Sequence, residues 1–340
     1  MRALVLDRPG PPDSLHPTGL PVPEPGPGQV RVRVEACGLN PVDYQLAAAG
    51  HPDWSWPHVL GLDVVGIVDA LGEGVTGTQV GQRIAYHGDL RRPGGFAEYA
   101  LAHAAVVTAV PSALDAVSAA ALPCAGMTAY QAVMRRLRLG KGETVLVTGA
   151  AGGVGGFAVQ LAALCGARVI ATASARNADH VLGLGATEVI DYRSQDVANR
   201  VRQLTGGRGV DAVIDSVGPG SATSNLGLLT YGGRLAAVAG RPDLDSVPAF
   251  ALAPSVHEIA LGAAYTHGDE RARADLAAML ADLLALAADR RLDTMLARTI
   301  ALEEVPAALT ELAGRHVRGK LVASITSGPV SPTSPGRHTP

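Results

Sequence analysis

Residues Val147 to Leu161 read VTGAAGGVGGFAVQL: the end of an apolar strand, a cluster of small residues, and then an apolar run at helical spacing. Glycine inside an element costs about 0.5–1 kcal/mol relative to alanine, so the cluster is unfavourable unless something must approach the bare backbone. Its surroundings say what that is. The stretch opens a region in which strands and helices alternate: TVLVTG, GFAVQLAALCG, RVIATA, DHVLGLG, EVIDY, VANRVRQLTGG, VDAVIDSVG, RLAAVAG and EIALGAA. Such alternation implies a doubly wound parallel sheet with helices on both faces. At the first strand-to-helix turn of such a sheet, small residues let the backbone approach a pyrophosphate, which is met by free amides and the positive end of the helix. Ala150, Gly152 and Gly155 occupy the three small-residue positions, with Gly153 and Val154 between them. The expected ligand is a dinucleotide.

The end of the second strand says which one. A carboxylate there would bind the ribose 2′-hydroxyl of NAD, whereas a cation and hydroxyls suit the 2′-phosphate of NADP. The chain reads VIATASARNAD, with Ser174 and Arg176 and no acid before Asp179, which points to NADPH. Tyr192 and Arg193, closing the third strand, offer a further hydroxyl and cation.

Working outward, 340 residues suggest about two domains. Hydrophobic residues make up 47%, charged residues 17%, and the net charge is -3, a balance that gives no electrostatic reason to expect nucleic acid or an anionic membrane as partner. MRALVLDRPG reads as a first strand rather than a secretory leader, and ADLAAMLADLLALAADRR is interrupted by Asp275, Asp282 and Asp289 at helical spacing, so it is an amphipathic helix and not a membrane span. Three scattered cysteines, Cys37, Cys124 and Cys165, argue against a disulfide framework and for the cytoplasm. Up to about Leu122 the apolar segments are short, β-branched and punctuated by Gly and Pro, as small antiparallel strands are. The expected organisation is therefore residues 1–122, mainly β; 123–264, nucleotide-binding; 265–326, a C-terminal return to the first unit; and 327–340, a Pro- and Ser-rich mobile tail.

The segments ACGLNPVDY, HVLGLDVVGIVDALGEGV, GGFAEYA, LPCAGMTAYQAV, GAAGGVGG, GATEVIDYR and VRGKLV together resemble the medium-chain dehydrogenase/reductase superfamily, most closely its quinone oxidoreductase branch. The resemblance covers nearly the whole chain and implies a Rossmann domain beside a GroES-like substrate domain. Zinc-dependent alcohol dehydrogenases of that superfamily hold zinc with two cysteines and a histidine. The corresponding positions here are Asn40, Leu62 and Cys124, and the four-cysteine structural lobe is missing from YHGDLRRPGG. One ligand cannot hold a catalytic zinc. A rearranged set of Asp63, His87 and Cys124 is conceivable, but the expectation is a metal-free reductase.

Without a Lewis acid the hydride acceptor must already be electrophilic, which a quinone or an α,β-unsaturated carbonyl is. The oxygen that gains charge needs hydrogen-bond donors and then a proton, and the resemblance places Asn40 and Tyr44 at that position. It also assigns to the cofactor Thr128, the loops Ser216, Val217, Gly218 and Ala239, Gly240, Arg241 after the fourth and fifth strands, and Lys320 from the C-terminal return. Phe96 either shields the nicotinamide or fills the barrel, and Trp54 and Trp56 either stack on a flat substrate or anchor their loop. A zinc-free aldehyde or ketone reductase and a non-catalytic NADPH-binding protein are the rival readings. The sixth strand, HEIALGAA, is expected at the sheet edge, where the resemblance implies pairing with its own copy in a homodimer, unless the helix near Arg271 to Arg290 covers it.

Overall fold

The computed structural model describes residues 1–315 and 317–325, so the expected tail lies outside the described residues. Its centre is a six-stranded, wholly parallel sheet of β1 (Thr144–Val147), β2 (Arg168–Ala173), β3 (Glu188–Asp191), β4 (Val210–Asp215), β5 (Leu229–Ala237) and β6 (Ser255–Glu258). The spatial order is β3-β2-β1-β4-β5-β6, with the order reversing at β1. In such a sheet, ligands sit at the carboxyl ends of the strands where the order reverses, which is where the glycine-rich turn lies. Val145, Leu146 and Val147 are fully buried, as a central strand covered on both faces requires.

The second sheet is mainly antiparallel and GroES-like. Its spatial order is Leu296–Ala301, Lys320–Ser324, Gln29–Gly38, Asp63–Leu71, Arg83–His87 and Thr108–Ala109, with Tyr99–His103 also pairing to Gln29–Gly38. Along Gln29–Gly38, Val30, Val32 and Val34 are buried, whereas Arg31 and Arg33 are more exposed, a two-residue alternation that leaves one face apolar. The strand Lys320–Ser324 runs antiparallel to Gln29–Gly38, so a late segment of the chain completes a sheet begun by an early one, while the first strand, Arg2–Leu6, pairs with His16–Gly19 and His58–Val59 in a small separate sheet.

The expected sixth strand is displaced. The sheet uses Ser255–Glu258, in register with Arg234–Ala237, and the apolar run after it does other work. Ile259 and Leu261 are buried in the core cluster that also takes in the barrel side chains, and a Cβ on Gly262 would lie 3.1 Å from Leu90. An apolar run bounded by glycine therefore crosses between the two sheets rather than lining an edge. The long helix, Glu270–Ala288, packs on the helix Pro123–Tyr130 and on strands Arg83–His87 and Thr108–Ala109. It buries Leu276, Met279, Leu280, Leu283, Leu284 and Ala287, while Asp282 accepts the Tyr130 hydroxyl and Asp275 pairs with Arg135. No described helix is long and apolar enough to cross a membrane.

Leu283 meets the bare face of the helix Pro123–Tyr130, where a Cβ on Gly126 would lie 3.2 Å from its Cδ1. Leu283→Ala should cost about 2–5 kcal/mol in urea unfolding, and a loss below about 1 kcal/mol would show that this contact does not hold the helix.

Candidate active site

Two of the glycines in the turn after β1 answer to the protein itself. Gly149 has φ +67°, and a Cβ there would lie 2.8 Å from Ser216 Oγ; a Cβ on Gly155 would lie 2.3 Å from the Gly149 carbonyl. Gly152, the N-cap of the helix Gly153–Leu164, is different, because its Cβ would meet only the Gly149 carbonyl, at 3.4 Å. The protein does not need glycine there. No side chain caps this helix, so Gly152 leaves the amides of Gly153, Val154 and Gly155 open to an anion. Ala150 is buried, its amide bonded to the Thr172 carbonyl, and supports the turn rather than facing a ligand. The turn fits a dinucleotide pyrophosphate.

Asp215, at the end of β4, makes this crevice rigid. Its Oδ1 accepts the amides of Val217 and Gly218 at 3.0 and 3.1 Å, and its Oδ2 accepts Thr148 Oγ1 at 3.0 Å and Asn225 Nδ2 at 2.9 Å. Ser216 Oγ donates to the Thr148 carbonyl at 2.8 Å, which ties the loop after β4 to the glycine turn. Thr128 is buried on the neighbouring helix. At the far end of the crevice, Ser174 is buried and its hydroxyl accepts Asn177 Nδ2, whereas Arg176 and Tyr192 are exposed. Arg193 lies over the Tyr192 ring at 5.9 Å. The parallel register sets Asp191 beside Ala173, bringing a carboxylate next to the Ser174–Arg176 turn that inspection of β2 alone does not reveal. The hydroxyl of Ser194 and the amides of Arg193 and Ala175 hold this carboxyl below its usual range. Ala239 and Gly240 follow β5, but Arg241 turns to Glu258 on β6, with its Nε 2.7 Å from the carboxylate, so its charge is spent at the sheet edge.

On the barrel side, five polar residues form one buried network. Asn40 is the N-cap residue of the helix Pro41–Ala49, and its backbone amide donates to Asp43 Oδ2 at 2.8 Å. Its Nδ2 donates to Asp63 Oδ2 at 2.8 Å, and its Oδ1 accepts the Lys320 ammonium. Lys320 Nζ also donates to the Leu39 carbonyl at 3.0 Å and lies 3.5 Å from Asp63 Oδ2. Asp63 Oδ1 takes the Cys124 amide at 2.8 Å and faces His87 Nδ1 at 3.1 Å. Burial alone would raise the Asp63 carboxyl, but the Lys320 charge and the bonds from His87 and Asn40 outweigh it and hold the group below its usual range. Burial pushes the Cys124 thiol well up.

Lys320 thus lies between the two halves of the site. Its stem passes the glycine turn, where a Cβ on Gly153 would lie 3.3 Å from its Cδ, and its charged end belongs to Asn40 and Asp63. Tyr44 is half-buried on the helix that Asn40 caps. Phe96 is fully buried against Gly61, so it fills the barrel. Trp54 stacks on His58 at 3.9 Å and donates its indole N–H to the Leu90 carbonyl, so it anchors its loop, while Trp56 stays 39% exposed.

Asp63, His87 and Cys124 place one ligand atom each within 4.8 Å of one another, the donor set of a zinc site. Yet both Asp63 oxygens are already occupied by donors, and one of these is a buried ammonium. As arranged, these residues do not fit a divalent metal.

The match to known proteins agrees with this architecture. A family model described as "Alcohol dehydrogenase GroES-like domain" matches residues 26–112, and one described as "Zinc-binding dehydrogenase" matches residues 153–283. The chain is 36% identical to a quinone oxidoreductase of Sus scrofa over 67% of this chain and 69% of that protein. Among solved structures, an alcohol dehydrogenase superfamily protein from Novosphingobium aromaticivorans superposes with a TM-score of 0.86 at 29% identity, covering 96% of this chain and 100% of that one. A quinone oxidoreductase of Pseudomonas syringae pv. Tomato DC3000 gives 0.85 at 29% identity, over 95% and 99%. The chain belongs to the medium-chain dehydrogenase/reductase superfamily, in its quinone oxidoreductase-like branch. It is an oxidoreductase that uses a nicotinamide cofactor, as its family does.

Asp43 gives the site a pH signature. Burial pushes its carboxyl up to about 7 against the opposing bond from the Asn40 amide, and among the described residues its buried Oδ1 has no hydrogen-bond partner. Between about pH 4, where the unfolded carboxyl titrates, and about 7, the folded chain keeps a proton that the unfolded chain has released. Stability from this group is therefore lost as pH rises through that window. Asp43→Asn should unfold at a higher urea concentration than the parent at pH 8, with a smaller advantage at pH 5; an advantage that shrinks towards pH 8 contradicts this account.

Proposed function

We propose that the protein transfers hydride from NADPH to a quinone or an α,β-unsaturated carbonyl without a metal. The carrying observation is the buried Lys320–Asn40–Asp63 network at the position where a Lewis acid would otherwise polarise an alcohol or carbonyl. Lacking that polarisation, the site suits acceptors that are electrophilic already. The nicotinamide supplies the hydride when bound. The chain's own residues hold the acceptor and stabilise the oxygen that becomes negative. Lys320 draws on the Asn40 carbonyl oxygen, which makes the amide a stronger N–H donor, and one Asn40 hydrogen has only the distant Gly38 carbonyl, at 3.5 Å, as partner. That hydrogen and the Tyr44 hydroxyl are the two donors assigned to the substrate oxygen, and Tyr44 or solvent returns the proton. The three free thiols suit a reducing cytoplasm.

NADPH is supported by the exposed Arg176 and by Tyr192 and Arg193 at the ends of adjacent strands, with Asp191 opposing them. Charge-assisted bonds to a phosphate contribute about 1.5–3 kcal/mol, so Arg176→Ala should weaken NADPH about tenfold or more and leave NADH nearly unchanged. Equal affinities of the parent for the two cofactors would refute the choice. Oxidation of NADPH by a panel of a quinone, an enone and an aldehyde should show turnover with the first two. Aldehyde alone would indicate a carbonyl reductase, and tight binding without turnover a binding protein.

We also infer a homodimer through β6, which ends the sheet order and has an unpaired side towards solvent. The Ile259 amide donates to the Ala237 carbonyl inside the subunit, and strand amides alternate in direction, so those of Val256 and Glu258 face outward. Val256→Pro should shift the mass in light scattering from about twice 34.6 kDa towards the single chain. A parent of single-chain mass at micromolar concentration rules the dimer out.

A further inference from the structure

The Asp63–His87–Cys124 cluster has the donors of a metal site but not its charge. One oxygen, one nitrogen and one sulfur lie within 4.8 Å of one another, with Asp63 and His87 buried. Three such ligands and an open fourth position are what a catalytic zinc takes. What distinguishes this cluster is a fourth group, the Lys320 ammonium, 3% exposed and 3.5 Å from Asp63 Oδ2. Its position is fixed from two sides. The Lys320 amide bonds to the Met295 carbonyl at 2.8 Å and the preceding Gly319 amide to the Ala151 carbonyl at 3.2 Å, so the strand is pinned to the glycine turn before the side chain begins. The ammonium is then received by the Leu39 carbonyl and Asn40 Oδ1, which aim it into the cluster.

We propose that Lys320 is an internal cation that takes the electrostatic place of a metal, and that its charge is what keeps the Asp63–His87–Cys124 cluster closed to divalent ions. Two features of the geometry support this. The ammonium neutralises the one carboxylate the cluster offers, so an entering dication finds no net negative charge and a like charge a few ångströms away. At an effective dielectric near 20, repulsion at such distances weakens binding by on the order of a thousandfold or more. The ammonium also holds the Asn40 carbonyl, which fixes one Asn40 amide hydrogen on Asp63 and so keeps Oδ2 occupied. If the charge is removed and the stem kept, Asp63 becomes a buried carboxylate without a cation, next to an imidazole and a thiol. A divalent ion is the group that would satisfy all three.

The test uses the full chain and zinc itself. Parent, Lys320→Arg, Lys320→Met and Lys320→Met/Cys124→Ser are equilibrated with one equivalent of Zn2+, passed over a desalting column, and examined by elemental analysis and by thermal unfolding with and without zinc. Parent and Lys320→Arg are expected to retain far less than one zinc per chain and to show no shift. Lys320→Met should approach one zinc per chain and unfold at a higher temperature when zinc is present. The added Cys124→Ser should remove both effects. Cobalt(II) in place of zinc should give a thiolate charge-transfer band in Lys320→Met that the double variant lacks. If Lys320→Met folds poorly without metal, its refolding yield in zinc against EDTA carries the same information. Stoichiometric zinc in the parent overturns the proposal. So does a Lys320→Met chain that shows neither zinc uptake nor any zinc-dependent gain in unfolding temperature or refolding yield.

Discussion

Asp63 is a carboxylate with no exposure to water, and the surrounding structure compensates for it. An isolated buried charge is unfavourable by several kcal/mol, and removing one partner of a buried ion pair typically costs about 3–5 kcal/mol. The compensation comes from four places in the chain: the Asn40 amide, the His87 ring, the Cys124 backbone and the Lys320 ammonium. These lie at the start of the helix after the longest barrel strand, on a neighbouring barrel strand, on the helix Pro123–Tyr130, and on the last described strand. One charge thus fixes the mutual placement of the substrate side, the cofactor side and the C-terminal return. Lys320 has the largest share, because its stem borders the glycine turn while its charge lies with Asp63.

The Rossmann half was legible because its signals are local. Nothing but a close backbone approach explains so many glycines where a buried strand meets a helix, and Gly149, Gly152 and Gly155 divide that requirement between packing and ligand access. The Asn40–Asp63–Lys320 network was legible only in pieces. Asn40 and Lys320 were singled out for different partners, and Asp63 as a conceivable metal ligand, since nothing local announces a contact between residues 257 or 280 positions apart. Asp43 had a local signal in the Asn40-x-x-Asp43 spacing of a capping box, but its burial did not. Asp191 was missed for a related reason: it enters the cofactor crevice from the neighbouring strand, and register is invisible in a single segment. The displaced β6 shows the limit of reading apolar runs, because Ile259 and Leu261 are apolar for the interdomain core and not for a sheet.

The two polar clusters divide the labour of the site. Asp215 accepts bonds from backbone amides and neutral side chains, which makes a stiff floor for the cofactor crevice without demanding a cation. Asp63 is matched by a full positive charge, the Lys320 ammonium. The first arrangement suits positioning, and the second places a full ion pair inside the buried network, where its field is little screened by water.

The pairing of Gln29–Gly38 with Lys320–Ser324, the last described strand, has a consequence for how the molecule comes into being. Asn40 is made early on the ribosome, and its partner Lys320 follows 280 residues later. Until then the barrel lacks one of its strands and the buried carboxylate lacks its cation, whereas the parallel sheet, with strands from Thr144 to Glu258, has all its members. Contacts of such long sequence separation form late and slowly, and chains fold from the N-terminus as they emerge. The nucleotide-binding half can therefore be in place while the reactive half is still open. A nascent or truncated chain that ends before residue 320 would carry the complete parallel sheet and its glycine turn beside a buried Asp63 that still lacks its cation, so the two halves are joined only when the strand Lys320–Ser324 arrives.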